Sequence, residues 1–162
     1  MAFDLSKIEA RLGSFVKDFD GMVAQVGIPV GLDDYPDTGE KVAAVAAQNE
    51  FGAPEMRIPA RPFFAPTIAN NKEQWVKITE KQLARYAQGN GDVYSVLDPL
   101  AITASEQVKE TIAGIYDPPL AEYTLEQRRA RGNQSTKPLN DTGRMVASIS
   151  WAVNKEDAEF KK

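Results

Sequence analysis

The chain contains neither cysteine nor histidine. Without cysteine there can be no disulfide, no thiolate zinc site and no cysteine nucleophile. Without histidine, the usual general base near neutral pH and the commonest nitrogen ligand of transition metals are both missing. These absences argue against an enzyme, and we predict no catalytic residue, no metal and no cofactor.

Long hydrophobic runs are also missing. No stretch of about 18 apolar residues occurs, so the sequence supports no membrane span. The opening residues, MAFDLSKIEARLGSF, lack the basic start and apolar core of a secretory signal. We therefore expect the protein to stay in the cytoplasm of the cell that makes it.

Length and composition are those of an ordinary globular domain. Of the 162 residues, 43% are hydrophobic and 26% are charged, which is typical of a folded chain and not of a disordered one. A chain of this length fits one domain. We predict a single domain over residues 1–154, with an extended arm at about 53–66 and a charged tail over 155–162.

Charge is unevenly placed along the chain. Residues 1–123 carry 11 basic and 18 acidic side chains, a net charge of −7, whereas residues 124–162 carry 8 and 5, a net charge of +3. Opposite charges at two ends of a molecule can match head to tail around a ring, although monomers also show such asymmetry.

Two apolar patterns open the chain. Leu5, Ile8, Leu12 and Phe15 recur at three- and four-residue spacing, which predicts an amphipathic helix over about 4–18 that covers a sheet. A helix that docks a partner is the alternative. After Gly21, apolar and other residues alternate as in a strand, and Pro29 places that strand at an edge or ends it there.

The middle of the chain reads as two long helices. One runs from about Pro66 to Ala87, and the other from about Asp92 to Tyr116, with glycines between them. Pro99 either kinks the second helix or starts it after a cap by Asp98. Helices joined by so short a loop pack as an antiparallel hairpin.

The predicted fold class follows from these elements. Ile149, Trp151 and Val153 alternate as a final strand. The fold should be α+β, with a small antiparallel or mixed sheet packed by several helices, including the long helical hairpin.

The stretch from Val42 to Pro66, VAAVAAQNEFGAPEMRIPARPFFAP, organises the rest. Its alanines form a helix that covers little surface and can approach another backbone closely. Gly52 and Pro54 end that helix. Pro59 and Pro62 then stiffen an extended arm by fixing their own backbone angles and those before them.

The arm supplies most of our candidate interface residues. Arg61 can cap carbonyl groups or pair with a carboxylate such as Glu50, in either case a structural role. Phe63 and Phe64 are core anchors, or else they are exposed at a contact between subunits. Phe51 and Ile58 complete this set.

A basic segment follows the second long helix. Thr124 and Gln127 suggest a capping box that opens a short helix, and the remaining candidates lie just beyond, namely Arg128, Arg129 and Arg131. We expect an intersubunit salt-bridge surface, since arginine is favoured at interfaces. Binding to DNA is less favoured, because the segment is short and lacks interleaved aromatics.

Three further expectations concern the loops. Residues 31–40 hold four carboxylates but not the spacing of a twelve-residue calcium loop, so we predict a solvated loop. Residues 132–137, GNQSTK, are the best candidate for a mobile loop. Asp141 or Thr142 should cap a short helix holding Met145 and Val146.

Two segments together carry a resemblance to a known family. AAQNEFG followed by IPARPFFAPTI, with KPLNDTGRMVASISW near the C-terminus, resembles the neck (head-tail connector) and tail-completion proteins of tailed bacteriophages. The similarity covers most of the chain in order. The resemblance implies a structural virion protein at the head-tail junction, with a tail terminator or a minor protein of the tail tube as the alternative.

The resemblance also implies partners. They would be further copies of the chain in a ring, most commonly a hexamer, together with the adjacent neck, portal-side or tail-tube proteins, while DNA passes through the lumen without sequence-specific binding. The protein would reside in the virion, in the neck or upper tail. From another class, a hydrolase using carboxylates would require a concave cluster of acids with perturbed pKa values.

Overall fold

The computed structural model describes residues 13–29, 31, 34–36, 38–156 and 158–160. Within them the protein has an α+β fold, which confirms the predicted class. Residues 13–19 are helical and are called α1. The other helices and the strands, in chain order, are β1 (Met22–Gly27), α2 (Val42–Phe51), α3 (Phe64–Ala87), α4 (Val93–Gly114), α5 (Glu122–Ala130), α6 (Arg144–Ser148) and β2 (Ser150–Lys155).

The two strands form an antiparallel sheet from opposite ends of the chain. Their register runs from Met22 opposite Lys155 to Gly27 opposite Ser150. Ala24 and Val26 therefore share a face with β2 residues directly across from them, and this face packs against α4, which contacts both strands. The sheet joins the N- and C-terminal parts of the described chain.

Helices α3 and α4 pack together as the predicted hairpin. Polar bridges link them: the hydroxyl groups of Thr67 and Thr111 lie 2.6 Å apart, and Trp75 donates from Nε1 to Oε1 of Gln107 at 2.7 Å. The hairpin is thus held by side-chain hydrogen bonds as well as by apolar contact.

The start of α4 decides the open question about Pro99. Asp92 caps the helix by accepting a hydrogen bond from the Ser95 amide, while the Ser95 side chain accepts one from the Asp92 amide, both at 2.9 Å. The helix therefore begins at Val93 and continues through Pro99. A capping box of this kind satisfies two amides that would otherwise be unpaired.

The main core lies where α2, α4 and α6 meet. Its fully buried members are Val42, Ala46, Phe63, Val108, Ile112, Met145 and Ile149. The small side chains of α2 allow it to lie close to α6, as its alanine content predicts.

Only the last part of the first predicted helix belongs to the described residues, and it is helical. Residues 4–12 lie outside the described part, and residues 13–18 are exposed, so they do not cover the sheet. Two aromatic rings of α1 contact Tyr86 on α3: the ring of Phe15 lies 6.0 Å from that of Tyr86, and the ring of Phe19 lies 5.4 Å from it. Tyr86 also donates its hydroxyl to Asp18, and this bond raises the pKa of Tyr86.

The cap predicted for α5 is wrong, and the cap predicted for α6 is met in part. The α5 helix begins at Glu122, after Ala121, so Thr124 lies inside it and no capping box forms with Gln127. The α6 helix begins after Gly143, and Oγ1 of Thr142 accepts a hydrogen bond of 3.4 Å from the Arg144 amide, the first amide of the helix. In both cases the helix exists where it was expected, but tertiary packing and backbone geometry set its first residue.

Candidate assembly surface

The arm between α2 and α3 folds back against the end of α2. Gly52 has a φ of 77°, and a Cβ there would lie 3.0 Å from the Ala60 amide nitrogen, so only glycine fits this close approach. The amide of Arg61 donates to the Asn49 carbonyl at 2.6 Å. The arm therefore runs along its own helix, anchored by backbone contacts.

Glu50 fixes the start of α3. Its Oε2 accepts hydrogen bonds from the amides of Phe63 at 2.6 Å and Phe64 at 2.9 Å, and its Oε1 accepts one from Ala65 at 3.0 Å. The first amides of a helix have no partner within the helix, and a negative charge there also interacts favourably with the helix dipole. A buried carboxylate from α2 thus caps α3 across the arm.

Arg61 takes the carbonyl-capping arrangement of the two that were predicted for it. Its side chain is buried, and it donates from Nε to the Pro118 carbonyl at 2.7 Å and from Nη2 to the Pro119 carbonyl at 2.8 Å. Burial lowers the pKa of this guanidinium; Arg128 adds to that effect and Asp117 opposes it. Arg61 ties the arm to the connector between α4 and α5, and Glu50 is engaged elsewhere.

The other arm candidates differ in exposure. Phe63 is fully buried in the core and contacts Phe64, with ring centroids 5.0 Å apart and ring planes inclined by 40°. Phe64 and Ile58 are half-buried, whereas Phe51 is 80% exposed. Phe63 is therefore a core anchor, and Phe51 is the arm candidate most open to a partner.

Arg128 does not lie on a surface, contrary to our expectation. It is 4% exposed, and its Nη1 donates to the carbonyls of Ser135 at 3.1 Å and Lys137 at 2.8 Å. Its Nε lies 3.4 Å from Oδ1 of Asp141. Burial lowers the pKa of Arg128, while Asp141 raises it. The buried side chain of Arg128 therefore holds the predicted mobile loop, residues 132–137, to α5.

The remaining two arginines are exposed and paired within the chain. Arg129 contacts Glu122 at 2.8 Å, and Arg131 contacts Asp141 at 2.7 Å. Exposed ion pairs of this kind contribute little to stability, so both side chains can exchange partners at low cost. They stay candidates for a contact between subunits.

An open apolar groove lies beside the arm. It consists of two adjoining cavities of about 350 and 200 Å³, and Phe64 lines both. We call it the apolar trough and define it by six wall residues, Val26, Ile28, Ala47, Phe64, Ile68 and Trp75. Ile68 is 50% exposed in its wall, and Phe51 lies at its α2 end.

Acidic groups are dispersed in the part of the chain that the structure covers. No three Asp or Glu residues there come together as a metal site. Asp98 lines a cavity near Arg85 at the tip of the hairpin. Its pKa is raised by desolvation and, less strongly, by Asp92. Among the described residues that line the cavity, Asp98 alone carries a carboxylate.

Two structural roles were missed from the sequence, those of Glu50 as a cap and Arg128 as a clamp. A signal existed for the first: the residues before α3 include no Ser, Thr, Asp or Asn, so its cap had to come from elsewhere. No local pattern distinguishes Arg128 from Arg129, because burial of one depends on a loop that folds over it.

None of the described helices combines the length and apolarity needed to cross a membrane. Comparison of the chain with protein-family models, with curated proteins and with solved structures found no match.

Proposed function

We propose that this protein is a non-enzymatic structural component of a tailed bacteriophage virion that forms a ring at the head-tail junction. One observation carries the proposal. The segment that resembles neck proteins, from α2 through the arm to the start of α3, is a single braced unit, tied by Glu50 at one side and Arg61 at the other.

Such bracing suits a part that must meet copies of itself in register. Ordering a flexible arm on assembly costs about 1 to 2 kcal/mol per residue. The prolines and the three Glu50 hydrogen bonds have already removed much of that freedom before any partner arrives. Neighbouring copies would therefore meet a surface of fixed shape.

The exposed apolar surface beside this unit supports the same proposal. Phe51 and Ile68 project from α2 and α3 into solvent next to the apolar trough. Large contiguous apolar surface is rare on soluble monomers and marks contact sites. The partners would be further copies in a ring, which the resemblance makes six-fold, and the neck, portal-side or tail-tube proteins above and below it.

The acidic excess of residues 1–123 has a place in this proposal. If it faces the lumen, DNA passes without adhering to the wall, because like charges repel. A neutral or basic wall in the assembled ring would discard this part of the proposal and leave the ring itself standing.

The experiment is a phage that carries a stop codon in this gene, with wild-type protein supplied from a plasmid as the control. We expect filled heads and separate tails to accumulate without the protein, and a reconstruction of complemented virions to place it in the neck. Tails of uncontrolled length, with the protein at the top of the tube, would favour a tail terminator. Normal infectious particles lacking the protein would reject both.

A further inference from the structure

Strand β1 pairs with β2 along one edge only. The Glu156 amide donates to the Gly21 carbonyl at 2.7 Å, and these residues are opposite each other when the register of the strands is continued by one pair. Hydrogen-bonded and non-hydrogen-bonded pairs alternate along antiparallel strands, so every second residue of β1 from Val23 onward is bonded to β2. The backbone groups of the other residues point away from β2, namely those of Met22, Ala24 and Val26.

These outward backbone groups form no hydrogen bond with any other described residue. Edge strands of natural proteins are often kept from pairing by a proline, a charged side chain or a bulge. The sequence of β1, MVAQVG, has neither proline nor charge, and its register with β2 runs over six pairs without a bulge. The free edge of β1 can therefore accept a further strand.

A cavity lies beneath the position that such a strand would take. It is the part of the apolar trough of about 200 Å³, lined by Ala24 and Val26 of β1 and by residues of α3 and α4, but by no described residue of β2. Helix α3 therefore lies on the β1 side of α4. Because neighbouring strands are about 4.8 Å apart, a strand added to β1 would lie over α3 and cover Ile68, which is 50% exposed.

The cavity would receive side chains of the added strand. Residues that pair with Ala24 and Val26 direct their side chains to the same face of the sheet, which here is the cavity side. On α3 the cavity is lined by Phe64, Ile68 and Trp75, and no described residue that lines it is charged. Main-chain hydrogen bonds would give such a strand its affinity, and the cavity would select apolar side chains at every second position.

We propose that β1 and this cavity bind an extended segment of a different protein, which joins the sheet as a third strand with an apolar residue at every second position. The sheet of a second copy does not fit there. Both of its strands pack on their own α4, and that helix would collide with α3 of the first copy. The added strand must therefore come without a helix behind it, as a chain terminus or a loop can.

The ends of this chain do not match the required pattern. Six of the eight residues 155–162 are charged, and the apolar residues of 1–12 recur at helical and not at alternating spacing. The arm between α2 and α3 is held in place by Glu50 and Arg61. The donor is accordingly a neighbouring protein of the assembly, a step that rests on the proposed function.

Amide hydrogen exchange of the isolated full chain, followed by NMR, tests whether the edge of β1 is free. The amides of Ala24 and Val26 should exchange at least about tenfold faster than those of Val23 and Gln25, which are bonded to β2. Equal protection of all four amides would overturn the inference, because the chain itself or another copy would then already occupy the edge.

The binding probe is a synthetic peptide with blocked ends, in which valine and threonine alternate between terminal lysines. In an NMR titration it should shift the amides of Ala24 and Val26 and the methyl groups of Ile68, with a Kd below about 1 mM. A control peptide with N-methylated valines cannot donate to β1 and should bind at least about tenfold more weakly. Equal binding of the two peptides, or no binding of the first, would overturn the inference.

Two proline variants assign the binding to one edge of the sheet. Ala24 and Val153 face each other in a non-hydrogen-bonded pair, so the amide of each points out of the sheet on its own side. Proline is tolerated at such edge positions. Ala24→Pro removes a donor from the β1 edge and should weaken peptide binding at least about tenfold, whereas Val153→Pro should leave it unchanged.

Protection of the Gln25 amide from exchange verifies that each proline variant is folded. Equal effects of the two variants, or a loss with Val153→Pro alone, would overturn the inference, and the N-methylated peptide makes the same comparison on the unaltered protein. The proposed function is judged separately. Peptide binding by a protein that is absent from virions would reject that function and keep the strand site, whereas a neck protein that binds no peptide would lose the site alone.

Discussion

At the scale of single residues, the Glu50 carboxylate joins two helices through three amides. Glu50→Ala leaves those amides without their partner, so we expect a loss of about 3 kcal/mol in the free energy of unfolding, and a smaller loss for Glu50→Gln, which keeps one acceptor oxygen. Urea titration of each variant measures this.

Glu55 supplies the matched control for Glu50. It lies five residues further along, in the turn Pro54–Met56, and it is exposed. Glu55→Gln should change the free energy of unfolding by no more than about 0.5 kcal/mol. If Glu50→Gln and Glu55→Gln proved equally harmless, the capping role would be refuted.

Arg61 is the second residue on which the arm depends. Arg61→Ala removes the donors to the carbonyls of Pro118 and Pro119, and we expect it to cost about 2 to 4 kcal/mol because charged hydrogen bonds in a buried site are lost. Lys72→Ala, at a position that the structure finds exposed as predicted, should cost less than about 0.5 kcal/mol. Thermal unfolding of both variants compares them, and equal tolerance would contradict the structural role of Arg61.

At the scale of elements, the turn between α3 and α4 depends on Gly91. A Cβ there would lie 2.2 Å from Oγ of Ser95, a member of the capping box, and the φ of 90° is itself unfavourable for other residues. Gly91→Ala should therefore destabilise the chain by about 2 to 3 kcal/mol, from backbone strain together with loss of the cap.

Gly132 allows the cost of backbone strain to be measured without the loss of a helix cap. Its φ is 82°, but a Cβ there would meet no atom within 4 Å. Gly132→Ala should cost only about 1 kcal/mol, from the backbone alone. Unfolding curves for both variants give the difference. If Gly132→Ala were as damaging as Gly91→Ala, the capping box would contribute nothing to the hairpin.

How far the sequence could predict these elements depends on how local their determinants are. The strands and the long helices follow from period and from glycine positions, since each residue's neighbours in sequence set its conformation. Pro99 was ambiguous because the decision rests on Asp92 and Ser95. The candidate site was harder still: Arg61 and Arg128 look alike in sequence to exposed arginines, and only distant carbonyl groups bury them.

At the scale of the whole molecule, replacement of Phe51 should affect association between copies without affecting folding. It is 80% exposed beside the apolar trough. Phe51→Ser should leave the free energy of unfolding within about 0.5 kcal/mol of the wild-type value but weaken self-association, because its ring would be buried only between copies.

The measurement is the average mass by sedimentation over a range of protein concentrations, since association follows mass action. Val76→Ser is the control, at a similarly exposed apolar position away from the trough. Identical association of the wild-type chain and Phe51→Ser would show that this surface has no part in assembly.

The hydrogen bonds of the Arg61 side chain have a consequence for the nascent chain. Its two carbonyl partners lie 57 and 58 residues further along the chain. These partners must therefore leave the ribosome before Arg61 can bind them and hold the arm in place. Until then a growing polypeptide lacks the rigid surface proposed for subunit contacts. Synthesis itself would thereby delay docking between neighbours until each one is nearly finished.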